Sequence, residues 1–197
     1  MGLKKIILTL LVSSCFLLSA SAQYKKVDTT MKLGKAGYRL YCNNKSVDKN
    51  NITITPVGFE SGSREISFEV KGKVAKAEVD DLNNDGFPDM VIYLYTGVGN
   101  LFGNVIGIMS NSNTDMRPVI FPDIMDDPKL KIGYKGYDEF YLVEGSLMRK
   151  FPIYQTIDST QSVPSGSVRQ IQYRVVPGER ESMKFKVVRS YEVKKAQ

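Results

Sequence analysis

Histidine is missing from this sequence altogether. Without it there is no Ser-His-Asp triad, no cysteine nucleophile activated by an imidazole, and no histidine-ligated zinc or iron site. Cysteine is almost as scarce, with only Cys15 and Cys42 in the chain. Cys15 falls in an N-terminal leader, so Cys42 stands alone in the mature chain and no intramolecular disulfide is expected. A lone cysteine of this kind reads as a small buried apolar residue. Carboxylate-only catalysis needs a specific pair of acids, and no such pair stands out. A non-catalytic protein is therefore expected. Also missing are internal repeats, low-complexity linkers, long amphipathic helices, and any second apolar run that would make a membrane span.

What is present begins with the leader, MGLKKIILTLLVSSCFLLSASAQ. Two lysines precede a short apolar run, and Ala20-Ser21-Ala22 supplies the small-x-small pattern cut by a signal peptidase. Residues 1–22 are expected to be a secretory signal peptide cleaved before Gln23, leaving a periplasmic or secreted protein. The rival is a lipobox-like VSSC ending at Cys15, which would leave a lipid-anchored N-terminus. The apolar run continues past Cys15 through Phe16, Leu17 and Leu18, as a later cut requires. Residues 23–197, about 175 in number, suit a single domain. Of 27 basic residues Lys4 and Lys5 leave with the leader, and the remaining 25 against 21 acidic ones carry +4. That charge is mild and evenly spread, which excludes a nucleic-acid footprint.

The mature chain alternates with period two. Ile66, Phe68 and Val70 point one way, as do Ile171, Tyr173 and Val175, and Phe185, Val187, Tyr191 and Val193. Such alternation describes strands with one buried face. MVIYLY (90–95) and FYLVE (140–144) are apolar on both faces and are expected centrally in a sheet. In VEGSLMRKF, Gly145 suits a two-residue turn that sets Glu144 opposite Leu147 and Phe140 opposite Phe151. Asp138, Glu139, Arg149 and Lys150 are placed for cross-strand ion pairs, with Phe140, Val143, Phe151 and Tyr154 as core. A short helical turn fits FPDIMDDPKL (121–130) before Pro128. The fold expected is all-β, an antiparallel β-sandwich or flattened barrel of about eight to ten strands.

The stretch DLNNDGFPD (81–89) places Asp81, Asn83, Asp85 and Asp89 at positions 1, 3, 5 and 9 of a calcium-loop pattern, with Gly86 at position 6. Calcium takes six to eight oxygen ligands, and a carbonyl from Phe87 would add one. The bidentate glutamate of position 12 is replaced by Ile92, and strands rather than helices flank the loop. Asn84-Asp85-Gly86 is equally good turn chemistry. The polar turn is the reading taken at this point, with a calcium site as the alternative.

Three blocks carry a family resemblance: EVDDLNNDGFPDMVIYLYTG, GNLFGNVIGIMSN and, most specifically, GYKGYDEFYLVEGSLMRKFPIYQ. Together with PSGSVRQIQYRV they resemble the bacterial periplasmic inhibitors of i-type (invertebrate) lysozyme, over roughly residues 74–178. The resemblance implies a β-sandwich of the cell envelope that plugs a lysozyme's catalytic cleft. The inhibitory element is then the loop TGVGNLFG (96–103), with Thr96, Gly97, Gly99, Asn100, Leu101 and Phe102 as partner-binding residues. The family's loop carries a serine and a tyrosine where this chain has Gly99 and Phe102, so both hydroxyls are absent. The partner expected is an i-type lysozyme or another secreted hydrolase. The alternative is a binding module of the same fold with another envelope or host partner.

Overall fold

A computed structural model describes residues 25–60, 63–99, 101–158, 161–180 and 182–194. The expected leader (1–22), Cys15 and the cut before Gln23 lie outside them, as does Asn100.

The all-β expectation holds, with twelve strands among the described residues where about eight to ten were expected. The first four are β1 (Val27–Leu33), β2 (Ala36–Cys42), β3 (Lys49–Val57) and β4 (Ile66–Lys71), which form an antiparallel meander in that order. Gly72 alone separates β4 from β5 (Lys73–Asp80), where a second sheet begins. It continues with β6 (Asp89–Thr96), β7 (Phe102–Asn111) and β8 (Asp115–Ile120). After a connection lacking strands come β9 (Glu139–Val143), β10 (Ser146–Thr156), β11 (Ser162–Pro177) and β12 (Met183–Lys194). The order β5-β6-β7-β8-β12-β11-β10-β9 is two antiparallel meanders side by side. They meet through one short parallel contact, Met183 beside Val119 and Lys184 beside Ile120. The sheet curls until its outer strands approach, and the Gly145 N–H donates to Asp80 at the end of β5.

β6 explains the layering. Its residues Met90 to Leu94 are all buried. Alternation sends Met90, Ile92 and Leu94 toward Tyr38, Leu40, Ile52 and Ile54 of the small sheet. It sends Val91 and Tyr93 inside the curled sheet, against Phe140, Phe151 and Tyr173. One apolar strand thus belongs to two cores, which is why its sequence shows no polar face. Cys42 is buried in the first core, its thiol donating to Asn44 and pushed up by burial.

Three expectations are corrected. FYLVE is not central: β9 is the last strand of its sheet, and Val143 is 47% exposed. Phe140 is core, whereas on the outer face Tyr141 is only half-buried, accepting from Gln170. The hairpin pairs Val143 with Ser146 and Phe140 with Arg149. The turn residues are Glu144 and Gly145, both at positive φ (47° and 68°), as a type I′ turn demands. Finally, Tyr191 and Val193 face solvent. A register shift against Gln172/Tyr173 makes Val188 an extra residue in β12 and reverses the alternation beyond it.

The connection 121–138 is held by side chains rather than strands. A single 3₁₀ turn, Ile124–Asp126, forms within the span expected for a helical turn, capped by Asp123 accepting from the Met125 N–H. Arg169, itself buried, donates to the carbonyls of Lys129, Leu130 and Ile132, and pairs with Glu192 at 2.6 Å. Those contacts lay the segment across the inner face of β11 and bring residues 133–138 beside the end of β6.

Candidate functional site

The loop between β6 and β7 turns through Gly97 and Gly99, both in the left-handed region (φ 81° and 73°) that side chains resist. Between them stands Val98, which is 99% exposed. Leu101 turns inward instead. Its carbonyl accepts from the Tyr137 N–H at 2.5 Å, and its side chain lies over Gly136. A Cβ on Gly136 would sit 2.4 Å from that carbonyl, so the close approach requires glycine. Phe102 opens β7 opposite Thr96, is 43% exposed, and packs its ring toward Tyr134 at 6.2 Å. The projecting apolar residue is therefore Val98, which was not among the expected partner-binding residues. Leu101 is part of the loop's mounting.

A buried ion pair fixes that mounting. Arg149 of β10 is 2% exposed, and its Nε donates to Asp138 Oδ1 at 2.7 Å. Asp138 Oδ2 accepts from the Tyr134 hydroxyl at 2.5 Å and from the Gly103 N–H at 2.8 Å. Arg149 Nη2 closes the ring onto the Tyr134 hydroxyl at 3.0 Å. Four aromatic rings surround the guanidinium, those of Phe121, Tyr134, Phe140 and Phe151, with centroids 5.1–5.9 Å away. Burial opposes the charge on Arg149, but Asp138 outweighs it and holds the guanidinium above its usual range. Burial, then Asp138, pushes the Tyr134 hydroxyl well up, so it stays a donor at any working pH. The second hairpin pair behaves differently: Lys150 meets Glu139 at 2.7 Å on the surface, where such a pair contributes little.

Beside the loop opens a cleft of about 970 Å³. Thr96, Leu101 and Phe102 form one wall, the 121–138 segment another, and Arg149 and Tyr154 of β10 contribute from beneath. Met125, Phe102 and Tyr137 are exposed at this cleft. These exposed apolar side chains around a concavity are the kind of surface found at interaction sites.

The acidic stretch lies at the other end of β6. Asp81 accepts from the N–H groups of Asp85 and Gly86, at 3.0 and 2.8 Å. Asn83 accepts from the Asp85 N–H and donates to its carboxylate, while Asp85 Oδ1 accepts from the Phe87 N–H. Asp89 separates from this exposed group. It is fully buried in β6, accepting from the N–H groups of Leu82 and Ser110 at 2.9 and 3.0 Å. Burial pushes its carboxyl up to about 7. These oxygens accept from the loop's own backbone and from Asn83, and among the described residues no group of three or more His, Cys, Asp or Glu side chains gathers to hold a metal. Asp81, Asn83 and Asp85 thus shape a turn, and Asp89 is directed away from them into the sheet.

Among the described residues no helix is long and apolar enough to cross a membrane. Comparison of the chain with protein-family models and with curated proteins finds no match to either.

Proposed function

We propose that this is an exported, non-catalytic binding protein that inserts the 96–103 loop into the catalytic cleft of a secreted glycan hydrolase, with i-type lysozyme as the partner. The observation that carries the reading is the loop itself: a fully exposed valine on a glycine-hinged tip, held above an apolar-rimmed cleft by a buried ion pair. A tip mounted this way is preorganised, which lowers the ordering cost of binding. The resemblance to periplasmic inhibitors of i-type lysozyme supplies the partner class.

The missing hydroxyls change how such a plug works. A glycosidase cleft presents two carboxylates, and a hydroxyl on each gains a charge-assisted contact of about 1.5–3 kcal/mol. Gly99 and Phe102 make no such contact. Val98 offers apolar burial instead, about 1.5–3 kcal/mol if fully covered. On this reading inhibition rests on shape and exclusion of substrate.

The test is inhibition and direct binding of the mature protein with i-type, c-type and g-type lysozymes in parallel. Inhibition of the i-type enzyme alone is expected, lost at least about tenfold in Val98→Asp. Phe102→Tyr, alone and with Gly99→Ser, asks whether hydroxyls add to it; the space around Gly99 is open, but its positive φ strains a serine. Binding to none of the three enzymes by native or restored tip ends the lysozyme reading. In that case the second reading takes over, the same scaffold directed at another envelope or host partner, which the altered chemistry of Gly99 and Phe102 favours.

A further inference from the structure

The cleft beside the loop has a chemistry that plugging a partner does not require. Its walls are mainly aromatic and aliphatic, from Phe102, Phe121, Met125, Tyr134 and Tyr137. Tyr137 is 54% exposed and lies nearly parallel to Tyr154, their ring centroids 6.2 Å apart. Against this apolar lining stand Lys71, Lys135 and Arg149. Among the described residues neither Lys71 nor Lys135 makes an ion pair. Arg149 is neutralised by Asp138, and Asp123 is the one carboxylate among the described residues that line the cleft. Three cations against two anions leave the concavity with one positive charge to offer.

Arg149 adds direction to that charge. A guanidinium carries five N–H groups; one goes to Asp138 and one to Tyr134. The others remain for neighbouring Tyr173 and for an occupant of the cleft that Arg149 lines. A cation this deeply buried, locked in place by a carboxylate behind it and rings around it, is a rigid donor at no further ordering cost. The volume lies at the upper end of the range of small-molecule sites.

We infer that the cleft binds a small carboxylate with a flat apolar ring face, the carboxylate reaching Arg149 and Lys135 while the ring lies against Tyr137 and Phe102. Two sources share that chemistry, an acidic saccharide, whose C–H face stacks on aromatic rings, and an aryl carboxylic acid. The inference does not depend on the lysozyme reading.

Calorimetric titration of the mature protein uses four probes: an N-acetylated disaccharide bearing one carboxylate, its uncharged methyl ester, 2-naphthoate, and its neutral analogue 2-naphthalenemethanol. At least one acid is expected to bind, with the disaccharide ester or, for the aryl source, 2-naphthalenemethanol weakened tenfold or more. Lys135→Ala and Tyr137→Ala, both at exposed positions that leave the fold intact, should each weaken the acid five- to tenfold. Val98→Asp should leave it unchanged while abolishing partner binding, which separates this site from the tip. Failure of both acids to bind at millimolar concentration overturns the inference, as does equal binding of acid and neutral analogue. Loss of lysozyme binding in Lys135→Ala, with no small acid bound, also overturns it, because the cleft then receives an acidic side chain of the protein partner.

Discussion

β6 leaves one loop at each of its ends, and the two are built in opposite ways. Before the strand, residues 81–88 satisfy their own backbone: Asp81, Asn83 and Asp85 accept from Asp85, Gly86 and Phe87. Tyr38 anchors the loop's far end by donating to the Pro88 carbonyl at 2.7 Å. After the strand, the described residues Gly97, Val98, Gly99 and Leu101 carry no polar side chains. They are steadied from outside, by Asp138 on the Gly103 N–H and by Tyr137 on the Leu101 carbonyl. A loop whose polar groups close on themselves is a connector. One whose support comes from the scaffold below leaves its tip free to present an apolar residue. The polar sequence thus makes the self-closed end of β6, and the glycine-rich one makes the end whose tip, Val98, stands in solvent.

The largest test of the contrast removes the scaffold's support. Asp138→Ala leaves the Arg149 charge buried and unpaired and takes the acceptor from Tyr134 and Gly103. A loss of about 3–5 kcal/mol is expected in urea unfolding. Amide exchange at Gly103 should accelerate with it, while exchange at Gly86 follows only the global change.

At the other loop the effect is smaller. Asp81→Ala frees two exposed N–H groups that water then solvates, so roughly 1 kcal/mol is expected, read as a drop in Tm. Partner binding through residues 96–103 should be unchanged. Calcium at millimolar concentration should leave the native Tm within about a degree, since ligand-linked stabilisation requires binding to the folded state. A rise of several degrees that Asp81→Ala abolishes would make the acidic loop a cation site and break the comparison.

Asp89, where the acidic loop enters the sheet, gives the chain a pH signature. Its carboxyl is raised to about 7 by burial, against an ordinary value near 3.9 in the unfolded chain. The folded state thus favours the protonated form, so this group's contribution is complete below pH 4 and is lost as pH rises through 7. With no histidine in the chain to add its own transition, Tm should fall between pH 5.5 and 7 and level off above. The slope is at most about 1.4 kcal/mol per pH unit. Asp89→Asn should flatten it, whatever it does to the absolute Tm.

Smallest in stability is Val98→Asp. With the side chain almost wholly in solvent, Tm should move by less than about a degree. The same variant is the most damaging for partner binding, and that separation of stability from binding is what the contrast between the loops predicts.

Much of this architecture is legible in period-two alternation, because a half-buried strand must alternate and β4, the later part of β11 and the first part of β12 do. β6 is legible through its apolar run, since only burial on both faces tolerates one. The hairpin ion pairs could be named from the charges at 138, 139, 149 and 150. Their inequality could not: Asp138–Arg149 is buried and Glu139–Lys150 exposed because of which face of β9 and β10 turns inward. The extra residue at Val188 was equally hidden, since a bulge is decided by the opposing strand.

By itself, then, the sequence determined the strands, the turn chemistry of 83–86 and 144–145, and the absence of any imidazole chemistry, all properties set by neighbouring residues. Tertiary structure decided that Leu101 tucks in while Val98 stands out. It also decided that Asp89 leaves its acidic neighbours, and that Arg149 lies behind a cleft assembled from residues 96–103, 121–138 and β10. Those outcomes depend on packing between segments dozens of residues apart, and no local pattern encodes which side chain a distant strand will cover.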